Sequence, residues 1–288
     1  MARSRDRKGP AQRPTERTRR PGRTAATSAA PPRAGSPARR HRGRDEEVFC
    51  GARACEALFA RRPEAVVRVY VSAARRQQFS GLVEWCVRER RGFQVVADEN
   101  LQRITGSIHH EGVAILARAI PKRDLHDLVP QAGTARATIL YLDGVQNPHN
   151  LGSILRTAAH FGCTAIVGRE GELPTLSPAA VRVAEGAAEF VPVCSLVEPA
   201  ADLARLRAAG FRVAVTSSRH GEAAYAADLG GRVVIVMGSE GQGVSPALER
   251  LADVRLRIPG TGAVQSLNVA VACGVLLGEA WRQQASAT

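Results

Sequence analysis

From residue 137 to the C-terminus, short apolar runs recur without polar alternation: 138–142 (TILYL), 165–167 (AIV), 190–194 (FVPVC), 212–216 (RVAVT) and 233–237 (VVIVM). A strand with one face in water alternates apolar and polar residues, whereas a strand covered on both faces does not. Helical stretches lie between the runs, at 151–161, 178–186 and 199–209. Strand and helix in strict succession predict an α/β fold with a parallel sheet. The last helix, expected over 267–281, is apolar nearly all round and must be deeply buried or pressed against a partner.

Upstream, residues 45–120 have the pattern of a small α/β unit. A helix is expected over 50–60, with Ala54, Leu58 and Phe59 on one side. A second is expected over 79–91, with Leu82, Val83, Cys86 and Val87 at three- and four-residue spacing. Strands are expected at 66–72 (VVRVYVS), 93–96 and 113–117. Residues 121–136, containing Pro121, Pro130 and Gly133, have the composition of a linker to a domain over 137–288.

Charge separates a tail from this folded body. Residues 1–44 hold 14 of the 40 Lys and Arg against only Asp6 and Glu16, a net of +12 within the total of +13. The other 244 residues therefore carry +1. The tail cannot bury enough apolar surface to offset its ordering entropy, so disorder is expected. It is either an arm that lies along phosphate backbones or a solubilising extension.

Several classes are disfavoured. No apolar run approaches the roughly 18–20 residues needed to cross a bilayer; the longest, 269–277, is interrupted by Gly274. The N-terminus has no apolar core of a signal peptide, and between Ser4 and Arg44 no Leu, Ile, Val or aromatic residue builds an amphipathic presequence face. Six cysteines without a C-x-x-C pair point to reduced, buried thiols of a cytoplasmic protein. The seven histidines show no ligand spacing, and His109 and His110 are expected on a loop or surface. No metal site is expected.

Three loops follow strand ends, where open α/β sheets bind ligands. The first, 143–150 (DGVQNPHN), runs into the helix 151–157 (LGSILRT) with Asn150 as its expected N-cap. Leu151, Ile154, Leu155, Ala158 and Ala159 form the buried stripe and turn Arg156 to another face. Alone, that is a capped amphipathic helix with a solvated arginine. The second, 236–245 (VMGSEGQGVS), gathers three glycines around one carboxylate and is neither a P-loop nor a dinucleotide fingerprint. The third, 258–268 (IPGTGAVQSLN), sets Ser266 and Asn268 at the mouth of the apolar last helix. Capping accounts for one of these two residues.

Taken together, NPHNLGSILRTA, VMGSEGQGVS and IPGTGAVQSLNVAVA resemble, in order and spacing, the three motifs of the SpoU/TrmH class of RNA ribose methyltransferases. Residues 48–117 resemble that family's small RNA-binding domain more weakly. The resemblance implies a C-terminal trefoil knot, a homodimer with the knotted helix in its interface, RNA as substrate and S-adenosylmethionine as methyl donor. It implies that backbone groups near Thr216, Gly238, Ile258 and Leu267 hold the adenine. Arg156 would lie beside the target ribose, as general base or as a binder of phosphate and developing alkoxide. Asn150, Glu240, Ser266 and Asn268 would orient Arg156, the ribose and the methionine end of the donor. No cysteine falls within the motifs, which favours oxygen over a base carbon as acceptor. The Arg-rich tail is an addition to the family pattern, and the Gly-Thr-Gly opening of the third motif replaces a bulkier start. The two-unit layout and basic arm favour ribosomal over transfer RNA. An RNA-binding assembly factor with a donor pocket but little turnover, and a base-nitrogen methyltransferase of the same superfamily, remain as alternatives.

Overall fold

The computed structural model of the chain describes residues 45–129, 136–174 and 176–286. The tail expected over 1–44 lies outside the described residues, as do residues 130–135 of the expected linker.

The first described segment builds β1 (Glu46–Cys50), α1 (Ala52–Arg61), β2 (Val66–Val71), α2 (Ser80–Arg88), β3 (Gly92–Val95), α3 (Asp98–Thr105) and β4 (Val113–Arg118). The strands form a sheet in the order β1-β4-β2-β3. β4 is antiparallel to both β1 and β2, and β3 runs parallel to β2 at the edge. Phe49, Leu58, Val69, Leu82 and Ile115 belong to one core beneath this sheet.

Several expectations change here. Cys50 ends β1 instead of opening a helix, because 48–50 pairs with β4 before Gly51 turns the chain into α1. Leu82, Val83 and Cys86 are buried in α2 as expected, but Val87 is exposed, one residue round the helix from Cys86. His109 and His110 do lie on a loop as expected, His109 exposed and His110 buried, with the His110 Nδ1 accepting from the Gly112 N–H at 3.0 Å. Within the expected linker, α4 (Leu125–Leu128) buries both its leucines.

The second sheet is built from β5 (Ala137–Asp143), α5 (Pro148–His160), β6 (Ala165–Arg169), α6 (Pro178–Ala184), β7 (Val193–Leu196), α7 (Pro199–Ala208), β8 (Arg212–Thr216), β9 (Glu222–Ala223), β10 (Arg232–Gly238), α8 (Pro246–Glu249), β11 (Val254–Arg257) and α9 (Val269–Ser286). Its order is β7-β6-β5-β10-β8-β11-β9, and every pairing is parallel. The chain thus inserts β10 between β5 and the earlier strand β8. The absence of alternation in the sequence has its physical cause in two cores. Leu140, Leu142, Ile166 and Ile235 face one of them with residues of α5 and α9. Ile139, Tyr141, Val167 and Val234 face the other with α4 and α7. Phe190 does not begin a strand: a 3-10 turn at Ala187–Glu189 precedes it, it is 54 % exposed, and β7 starts at Val193. α9 is one-sided and not buried all round, with Cys273, Leu276, Leu277 and Ala280 inside and Val271 and Trp281 exposed.

The segment after α6 joins the two sheets. Arg62 reaches from the end of α1 to grip Glu189 through Nε (2.6 Å) and Nη2 (2.9 Å), while its Nη1 donates to the Arg118 carbonyl at 2.5 Å. Gly186, at φ 88°, lies so close to α1 that a Cβ there would sit 2.5 Å from the Ala57 Cβ and 3.0 Å from the Arg53 carbonyl oxygen.

Candidate active site

The carboxyl ends of β5, β10, β8 and β11 are neighbours, and the three loops singled out in the sequence leave from three of them. Gly238 is in register with Asp143, Val236 with Val215, and Thr216 with Leu256. Gly238, Thr216 and Ile258 therefore lie along one edge. The Thr216 hydroxyl donates to the Val236 carbonyl at 2.9 Å and ties β8 to β10 there.

The loop after β10 is folded tightly on itself. A bridge joins Ser239 to Gly243, and a Cβ on Gly238 would stand 2.1 Å from the Gly243 carbonyl carbon and 2.3 Å from the Val244 nitrogen. Only a glycine fits so close to passing backbone. Asp143, at the end of β5, accepts the Ser245 N–H through Oδ2 at 2.6 Å and fastens the far end of the same loop. Glu240 is held at its exposed tip.

Three side chains far apart in sequence meet at that tip. Glu240 Oε1 accepts from Asn268 Nδ2 at 2.8 Å, from Asn150 Nδ2 at 3.3 Å and from the Val269 N–H at 3.4 Å. Asn268 Nδ2 also donates to Asn150 Oδ1 at 3.2 Å. Asn268 has a second task, because its Oδ1 accepts the Ala270 N–H at 2.9 Å and caps α9. The cap of α5, in contrast, is Asn147 and not Asn150: Asn147 Oδ1 accepts the His149 N–H at 2.9 Å, with Pro148 at the first helical position. Asn150 is thereby released from capping and faces Glu240.

Arg156 is not part of this cluster. It follows Asn150 by six residues, about 9 Å along α5 and about 120° around it. Its Nη1 pairs instead with Glu185 Oε1 at 2.7 Å. The two side chains, each about half exposed, border a pocket of about 450 Å³ whose walls include His160, Phe161 and Phe190. Ser266 is exposed and makes no hydrogen bond among the described residues. The structure thus joins Asn150, Glu240 and Asn268, and leaves Arg156 and Ser266 apart from them within one chain.

The edge has the features of a cradle for a small organic ligand. A Cβ on Gly241, Gly260 or Gly262 would meet nothing within 4 Å, so the glycines border open space. The loop from 260 to 268 is exposed throughout and displays Val264 and Leu267, apolar side chains without cover. Backbone groups at strand ends, apolar loop residues and an adjoining polar cluster fit a ligand with a flat apolar end and a charged end. All six cysteines are buried and free. Burial pushes the Cys163 thiol up to about 12 and raises Cys273 as well, so neither is a poised nucleophile. Among the described residues no His, Cys, Asp and Glu group could hold a metal ion, and no helix is long and apolar enough to cross a membrane.

Sequence reasoning missed Asp143 as an anchor, Asn147 as a cap and Glu185 as the partner of Arg156. The Asn-Pro pair at 147–148 was a signal for the cap. Nothing local marked Glu185, because its contact arises only when α6 packs on α5.

The chain is similar to known proteins along most of its described length. Residues 137–278 match the SpoU rRNA Methylase family, and residues 48–122 match the family described as RNA 2'-O ribose methyltransferase substrate binding. Over 245 residues the chain is 38 % identical to the uncharacterized tRNA/rRNA methyltransferase YfiF of Escherichia coli O157:H7, covering 85 % of this chain and 70 % of that one. It is 33 % identical over 239 residues to the 23S rRNA (guanosine-2'-O-)-methyltransferase RlmB of Bordetella pertussis, covering 83 % and 98 %. The AdoMet-bound rRNA methyltransferase from Sinorhizobium meliloti superposes with a TM-score of 0.68 at 27 % identity, covering 83 % of this chain and 87 % of that structure.

Proposed function

Since the chain belongs to the SpoU rRNA methylase family, we propose that it is an S-adenosylmethionine-dependent RNA methyltransferase acting on a ribose 2′-hydroxyl, of ribosomal RNA in preference to transfer RNA. The observation that carries this reading is the meeting of Asn150, Glu240 and Asn268 beside the strand ends at Thr216, Gly238 and Ile258. When bound, the cofactor supplies a methyl group already activated by its sulfonium charge. The protein's own task is positioning and charge stabilisation. Backbone groups near Thr216, Gly238, Ile258 and Leu267 hold the adenine, and Glu240 with its two asparagines orients the polar end. The guanidinium of Arg156 is a fork of hydrogen-bond donors with no acceptor of its own. It therefore donates to a flanking phosphate and to the developing alkoxide, and proton removal falls to phosphate or water. Ser266, exposed on the loop before α9, contacts the ribose.

In this reading residues 45–120 form the RNA-binding unit and 137–288 the methyltransferase unit. The basic segment 1–44 adds a phosphate-binding arm. The insertion of β10 between β5 and β8, with α9 returning onto α5, supports the trefoil knot. Val271 and Trp281, uncovered on α9, support a homodimer through that helix. The six free thiols support the cytoplasm as the working compartment. The deciding experiment incubates protein, RNA and methyl-labelled cofactor, then digests with a nuclease that requires a free 2′-hydroxyl. Label in resistant dinucleotides is expected. Label on a base moves the assignment to base-nitrogen methylation, and RNA binding without any label moves it to an assembly factor.

A further inference from the structure

We infer that Glu185 is a positioning residue that sets the guanidinium of Arg156 and couples it to the seating of the RNA-binding unit. This rests on Arg156 acting at the target ribose, as proposed above.

Three observations point the same way. First, Glu185 is the partner of Arg156, at 2.7 Å, and both side chains stand at the rim of the pocket walled by His160, Phe161 and Phe190. Second, Glu185 terminates α6 in the left-handed region, at φ 47° and ψ 46°. Helices usually end there with glycine or asparagine, which tolerate that conformation at less strain. A half-exposed ion pair contributes too little stability to explain a strained glutamate at that point. Strain of this kind is retained where it places a functional group. Third, the turn is pinned from its other side. Gly186 is pressed against Arg53 and Ala57 of α1, and Glu189 is gripped by Arg62. The path α1, Gly186, Glu185, Arg156 is continuous contact from the small sheet's helix to the functional arginine.

The carboxylate stands 2.7 Å from Nη1 and holds that end of the guanidinium by charge, leaving the other donors of the fork free to face substrate. Because the pair is half exposed, an RNA phosphate can share the remaining donors without first breaking a buried contact. Glu185 thus orders Arg156 before substrate arrives, and reorganisation is avoided at the moment of reaction.

The test uses the full chain, with Glu185→Gln and Glu185→Gly beside Arg156→Ala as reference. Glu185→Gln removes the charge at constant size; Glu185→Gly also removes the strain. Both are expected to lower kcat about tenfold, with the KM for RNA unchanged or lower and the affinity for S-adenosylmethionine unchanged. Glu185→Gly should melt at the parent temperature or above it, so that its loss of turnover cannot be ascribed to unfolding. The inference is overturned if both variants keep kcat within about twofold of the parent while Arg156→Ala is inactive. If Arg156→Ala itself retains turnover, the role assigned to Arg156 fails, and the inference with it.

Discussion

Gly238→Ala tests the central assumption that the loop after β10 is held in one shape. The new methyl carbon would lie 2.1 Å from the Gly243 carbonyl carbon, 2.3 Å from the Val244 nitrogen and 2.4 Å from the Gly243 oxygen. All three are backbone atoms, so no rotamer change relieves the clash. Reaching an ordinary separation of 3.4 Å requires the loop to retreat by about 1.3 Å. That movement opposes both the Ser239–Gly243 bridge and the 2.6 Å bond from the Ser245 N–H to Asp143. Overpacking of this order costs about 1–3 kcal/mol, and losing one of the two hydrogen bonds adds about 1 kcal/mol. The loss of stability should thus be about 2–4 kcal/mol. Glu240 rides on the displaced loop, and a misplacement of about 1 Å lowers turnover about a hundredfold. Urea denaturation reads the first effect, and calorimetry with S-adenosylmethionine alongside a methylation assay reads the second. A variant with the parent's urea midpoint, cofactor affinity and kcat would show that the tight turn has no part in holding the site.

Glu240→Gln keeps the shape of the acceptor but exchanges charge-assisted for neutral hydrogen bonds to Asn150 and Asn268, a loss of about 1–1.5 kcal/mol. Single-turnover methylation should slow about tenfold, and parent rates would remove Glu240 from the mechanism. Arg62→Ala leaves Glu189 buried without its partner, with only 4 % of that side chain exposed, and should cost about 3–5 kcal/mol in urea denaturation. The Arg62→Ala/Glu189→Ala pair should lose less than the two single changes added together; strict additivity would mean that the clamp carries no coupling. Burial raises Cys86 and Cys194 from 9.0 to about 11 and Cys163 to about 12. The folded state therefore holds these protons more tightly than the unfolded chain. Their contribution to stability is fully present below pH 9 and is lost as pH rises from 9 through 12. The urea midpoint should fall over that interval, and native alkylation at pH 8 should be slow; a midpoint rising with pH would contradict the assigned burial.

Local patterns determined a great deal. The unbroken apolar runs at 138–142, 212–216 and 233–237 became β5, β8 and β10 because each of these strands has a core on both of its faces. Periodicity found α5, α6, α7 and α9 to within a few residues, since the spacing of buried positions follows from the helix itself. The three glycine-bearing loops were legible because a turn at a strand end requires particular residue types wherever it occurs. Tertiary structure decided what local chemistry leaves open. Asn147 displaced Asn150 as the cap of α5, which let Asn150 meet Glu240 across a separation of 90 residues. The short strands β1 and β11 exist through pairing with β4 and β8, since their own sequences are too brief to declare a period. Glu185 reached Arg156 only because α6 packs on α5 and Gly186 admits α1. A sequence specifies the conformations its neighbouring residues prefer. Which distant carboxylate faces which cation depends on how helices and sheets pack, and that is set by the whole core at once.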